Sequence, residues 1–147
     1  MQLDAGGSEL RRVQMPDDMN PRHAVESPTG TFIVSHKNSQ LEQWQVSEVN
    51  FEGGVLRQFS PCPSLGMHIH IAVDSQRNIF VADRDNSRIL LLDAQLAPRR
   101  VIIDQYQLND KRPQRLCYNE QSAQLMVVHS DDSIAVFAVA YVNDELY

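Results

Sequence analysis

Apolar and polar positions fall in short alternating blocks along this chain, most clearly over Met67–Asp93, MHIHIAVDSQRNIFVADRDNSRILLLD. Three apolar runs, Ile69–Val73, Ile79–Ala82 and Ile89–Leu92, are separated by polar turns. Each run is too short for a typical helix and rich in β-branched residues, so the pattern predicts a tight antiparallel meander. Ile79–Ala82 and Ile89–Leu92 are continuously apolar, as expected where sheets stack face to face and both faces are covered. Pro28–Thr29–Gly30 and Asp74–Ser75 read as turns between first and second strands, with Asn78 expected to take a left-handed conformation in place of glycine. Asp83–Arg84–Asp85–Asn86 is the expected second turn, its side chains able to hydrogen-bond their own backbone.

The block pattern occurs three times, over Pro21–Trp44, His68–Leu92 and Pro113–Phe137. His23 and His70 are 47 positions apart, as are Ser27 and Asp74, Phe32 and Ile79, and Val34 and Val81. The third unit begins 45 residues after the second, with Val127 level with Val81. Several short strands repeating at this period point to propeller blades or a similar array. Val55–Phe59 and Val101–Ile103 supply fourth strands. Leu10–Val13 is expected to be an outer strand left from a preceding blade, and Ala138–Val142 a further strand at the end. The expected fold is therefore all-β, made of blades of four-stranded antiparallel sheet. The boundaries are 1–20 for an N-terminal segment, 21–66 for the first blade, 67–112 for the second, and 113–147 for the third with its C-terminal strand. An open sandwich of three units is the alternative.

Composition adds limits. A length of 147 residues suits one domain with a sizeable core. The net charge of −6 gives generic nucleic-acid binding no help from bulk electrostatics. Cys62 and Cys117 form no CxxC arrangement and read as reduced thiols, Cys117 as a small buried hydrophobe within Leu116–Cys117–Tyr118. The first residues, MQLDAGGSELRRVQMPDD, lack the apolar stretch of a secretory signal, and no apolar run is long enough to cross a bilayer. A cytoplasmic protein without membrane contact is the expectation.

Candidate chemistry is sparse. His68 and His70 lie two apart on a strand, so they point the same way and would bind zinc if a third ligand approached; otherwise they simply line the place where the blades converge. His36, aligned with Asp83, and His129 read as exposed turn residues. Asp131–Asp132 lacks the alternating oxygen ligands of a calcium loop. Arg84, Lys111, Arg112 and Arg115 are candidate binding residues on one rim, and Arg11–Arg12 and Arg99–Arg100 are basic pairs near outer strands. Trp44 aligns with Leu92 and Phe137 and reads as a core anchor. There is no nucleophile elbow, glycine-rich phosphate loop, HExxH or paired-carboxylate motif, so neither an enzyme nor a cofactor has positive support.

The unit Ile71–Asp93 closely resembles an NHL repeat, through Val73–Asp74, Asn78–Ile79–Phe80–Val81–Ala82–Asp83 and Asn86–Ser87–Arg88–Ile89. Arg77 departs from the family's glycine and His68 from its proline. The first unit is a degenerate copy, keeping Pro21, Gly30, Phe32–Ile33–Val34 and Gln40–Leu41. The third keeps Pro113, Leu125–Met126–Val127 and Ile134–Ala135–Val136–Phe137. The resemblance implies that Asp83, Asn86 and Arg88 are structural, with Asp83 and Arg88 bridging strands two and three. It also implies half of a six-bladed propeller: a fragment of a longer chain, a pair of copies closing one ring, or a half propeller alone. The function implied is a protein-binding scaffold, as in tripartite-motif ubiquitin-ligase proteins. An RNA-binding rim and a channel-centred, metal-assisted enzyme of lyase type are the alternatives.

Overall fold

A computed structural model of the chain describes residues 2–3, 6–61 and 64–139. Three antiparallel sheets follow one another along the sequence. The short strands β1 (Gln2–Leu3) and β2 (Glu9–Arg11) pair with each other ahead of them. The first sheet holds β3 (Met19–Glu26), β4 (Phe32–Asn38), β5 (Gln43–Val49) and β6 (Val55–Phe59) in sequence order. The second holds β7 (Ile69–Val73), β8 (Ile79–Asp83), β9 (Arg88–Leu92) and β10 (Pro98–Ile103). The third holds β11 (Pro113–Asn119), β12 (Gln124–His129) and β13 (Ile134–Ala138). No helix occurs among the described residues, so none is long and apolar enough to cross a membrane.

The turns follow from short polar side chains that replace the missing ladder. Asp74 Oδ1 accepts from the N–H groups of Gln76 and Asn78, and its Oδ2 from the Asn78 amide. Asn50 caps Glu52 and Gly54 in the same way, and Asp93 caps Gln95 and Ala97. The left-handed residue of the first turn in the second sheet is Arg77, at φ 66°, not Asn78 as the sequence suggests. Asn78 is instead drawn onto the Asp74 carboxylate, which leaves the strained position to its neighbour.

Packing comes from strand alternation. Ile79, Val81, Leu90 and Leu92 turn toward the first sheet and bury themselves with Ile33, Val46 and Phe59. Phe80, Ala82, Ile89 and Leu91 turn the other way and pack with Leu116, Leu125 and Val127 of the third sheet. The middle sheet is thus covered on both faces, which explains its unbroken apolar runs. The first strands lie side by side, β7 contacting both β3 and β11.

Several expectations need correction. The strand at Glu9–Arg11 pairs with β1, not with a four-stranded unit. The third sheet has three strands among the described residues. Cys117 is exposed, because alternation places it on the face opposite buried Leu116. His36 and His129, expected in exposed turns, are buried at 0% and 3% exposure because each lies on its second strand, paired with Pro21 or Pro113 of the first. Cys62 and the end of the expected strand Ala138–Val142 lie outside the described residues, as do the side chains of Arg11, Arg99 and Arg100.

A basic cleft where the first strands converge

Ladder register makes the three sheets comparable residue by residue. Val34, Val81 and Val127 face Ala24, Ile71 and Leu116 on the first strands. One step earlier on those strands stand His23, His70 and Arg115; two steps later on the second strands stand His36, Asp83 and His129. Both positions are polar in all three sheets, and each has a definite task.

The second-strand position closes the meander. Asp83 is fully buried and accepts from Arg88 Nε at 3.0 Å, Asn86 Nδ2 at 2.8 Å and the backbone N–H of Gly66 at 3.0 Å. It therefore holds the turn to β9 and the approach to β7 at once. At His36, Nε2 lies 2.6 Å from Ser47 Oγ on β5, while Nδ1 has no hydrogen-bond partner among the described residues. Burial pushes both His36 and His129 below the usual imidazole pKa. Trp44 packs at the edge of the core between the first two sheets and bridges to Leu65, with the Arg22 guanidinium 5.5 Å above its ring.

The first-strand position ties sheet to sheet. His23 Nδ1 accepts from the backbone N–H of Ile71 at 3.2 Å, and His70 Nδ1 accepts from that of Leu116 at 3.1 Å. The two imidazoles stack with centroids 4.2 Å apart. Accepting at Nδ1 requires the neutral ring, which then carries its proton on Nε2. Burial lowers the His23 pKa. Burial, the His23 ring and the Arg115 guanidinium together hold His70 down to about 4.

Beside these rings the three sheets leave a cleft of about 250 Å³. His23, His68, His70, Arg22, Arg84 and Arg115 line it, and among the described residues no carboxylate does. His68, just before β7, sits at the exposed side with Nδ1 3.2 Å from Asp85 Oδ1. Burial raises the Asp85 pKa, but hydrogen bonds from the Met67 N–H and His68 outweigh it and hold the carboxyl below its usual range.

Of the basic residues expected on one rim, the structure brings Arg84 and Arg115 into this cleft and leaves two outside. Lys111 instead bonds Ser133 Oγ at 3.0 Å and Asp131 at 3.3 Å, while Arg112 is exposed and gives its backbone carbonyl to Ser130 N–H. Asp131 is held down to about 2 by the Ser133 hydroxyl and N–H and by Lys111. Among the described residues no three His, Cys, Asp or Glu side chains gather to hold a metal ion, and the Nδ1 atoms of His68 and His70 are both engaged. The sequence reading missed Arg22. Its signal was the place beside His23, which the repeat aligns with His70.

No family model matches the chain, and no curated protein matches it. Its fold is similar to the crystal structure of a protein of unknown function from Bacteroides caccae, at TM-score 0.57 and 15% identity. The match covers 92% of this chain and 52% of that one, so this chain spans about half the length of its structural neighbour.

Proposed function

We propose that the chain is a set of NHL-type propeller blades serving as a non-catalytic, protein-binding scaffold module, of the kind seen in tripartite-motif proteins. One observation carries this reading: the same meander, stacked three times, ends in a sheet whose outer face is still apolar. Cys117, Met126 and Val136 lie in register across β11, β12 and β13 on that face, and Met126, Val136 and nearby Ile134 are exposed. A face of that kind calls for a cover, whether a further blade, a second copy or another protein. The structural neighbour's greater length is consistent with further blades.

Affinity purification of the full-length protein, with bound polypeptides identified by mass spectrometry, tests the reading. A stoichiometric partner lost on the Met126→Lys/Val136→Lys double substitution is expected. A folded protein that retains nothing above background overturns it. RNA on the same rim is the second reading, favoured by Arg84 and Arg115 sharing one cleft. It requires a salt-dependent shift with single-stranded RNA that disappears when Arg84 and Arg115 are neutralised.

A further inference from the structure

We propose that the cleft between β3, β7 and β11 binds a small molecule or side chain carrying a phosphate monoester dianion. This goes beyond the scaffold reading and holds whether or not further blades close a ring, because every residue it uses belongs to the three sheets described.

Charge pairing elsewhere in the chain sets the contrast. Arg12 pairs with Glu9, Arg57 with Glu48, Arg88 with Asp83, Lys37 with Glu42 and Lys111 with Asp131. In a protein with 19 acidic and 13 basic residues, such pairing is easily found. Yet Arg22, Arg84 and Arg115 come together from three sheets, and none has a carboxylate within ion-pair distance among the described residues. Arg84 Nε is also buried with no hydrogen-bond partner among the described residues. A buried guanidinium N–H left unmade is costly and points to an acceptor that arrives from outside.

The other cleft groups agree. His23 and His70 use Nδ1 to accept backbone N–H groups, so in the neutral form each keeps an Nε2–H donor. Arg22 lies over the Trp44 ring, 5.5 Å from its centroid, a contact that uses none of its N–H donors in an ion pair. The lining is therefore rich in donors and has no acidic acceptor.

Charge and size choose among anions. A phosphate monoester carries about −1.5 to −2 at neutral pH and three oxygens, matching a set of guanidinium forks. A single carboxylate leaves most of the positive charge uncompensated. A cleft of about 250 Å³ accommodates a phosphoryl group and a few attached atoms but no run of nucleotides.

Calorimetry at low ionic strength on the full-length protein tests the proposal, with inorganic phosphate, phosphoserine, serine and a single-stranded RNA oligomer as probes. Phosphate and phosphoserine are expected to saturate one shared site and to compete for it, whichever of them is bound more tightly. Serine is expected to bind at least about tenfold more weakly, and RNA more weakly than phosphoserine. Arg84→Gln and Arg115→Gln should each lower phosphoserine affinity about tenfold or more, while Lys37→Gln leaves it unchanged. If either glutamine variant melts early, Arg115→Lys keeps the charge but loses the fork, and should still bind more weakly than the parent. No saturable phosphate binding, equal binding by the folded variants, or tighter binding of RNA than of phosphoserine would overturn the assignment.

Discussion

At the scale of single residues, Asp83 joins two turns through one buried carboxylate. Three donors converge on it at 0% exposure, and Arg88, its charge partner, is nearly as enclosed. Removing only Arg88 strands a buried carboxylate, so Arg88→Ala is expected to lower unfolding free energy by about 3–5 kcal/mol in urea denaturation. Replacing both partners, as Asp83→Asn/Arg88→Met, should recover part of that loss, because no bare charge then remains. A double substitution no more stable than Arg88→Ala would show that the ion pair is not the main term. The spacing within Asp83–Arg88 was readable in sequence because both ends lie on one tight turn. The burial of His36 and His129 was not. Adjacent polar residues made those positions look like turn tips, whereas the ladder places them opposite Pro21 and Pro113, inside the stack. Their repeat equivalence with Asp83 was the available signal.

At the scale of strands, the runs Ile69–Val73 and Val55–Phe59 match β7 and β6 residue for residue. Local chemistry suffices there, since β-branched runs between Asx turns have few other ways to fold. The cleft was harder to read, because Arg22, Arg84 and Arg115 become neighbours only when three first strands lie side by side. That contact is held by the His23 and His70 hydrogen bonds, which makes sheet packing sensitive to acid. In the folded protein the His70 pKa lies at about 4, below the ordinary value of 6.5. Unfolded chain therefore binds the proton more readily, and the stability present above pH 6.5 is lost as pH falls from there toward 4. The His23 ring and the Arg115 guanidinium add to burial in that direction; Arg22, Arg84 and His68 line the same cleft, with Asp85 beside His68. Allowing for partial solvent screening, His70 should contribute roughly 2 kcal/mol of this loss. Denaturation midpoints measured between pH 7 and pH 4 check it: His70→Gln should flatten the decline, and an unchanged slope would refute the assignment.

At the scale of the whole molecule, the two ends of the stack differ. On the first sheet, residues 14 and 15 cross so closely that a Cβ on Gly53 would meet the Gln14 carbonyl oxygen at 1.9 Å. The third sheet instead presents Met126, Ile134 and Val136 to solvent. If a cover belongs there, Met126→Lys/Val136→Lys should reduce self-association or partner capture by the full-length protein without lowering its melting temperature. Sedimentation velocity reads the first, and an unaltered distribution together with unaltered capture counts against a covered face. The series His23, His70, Arg115 carries a consequence for assembly. Each imidazole is a socket that receives the N–H of the next sheet, and the third place holds a side chain with no lone pair to offer. A further sheet docked in the same orientation would find no ring acceptor at Arg115, so its junction cannot reuse the hydrogen bond that joins the first three sheets. A sheet docked there would meet a guanidinium donor where the first two junctions offer a ring nitrogen, and would have to present a carbonyl or carboxylate to it.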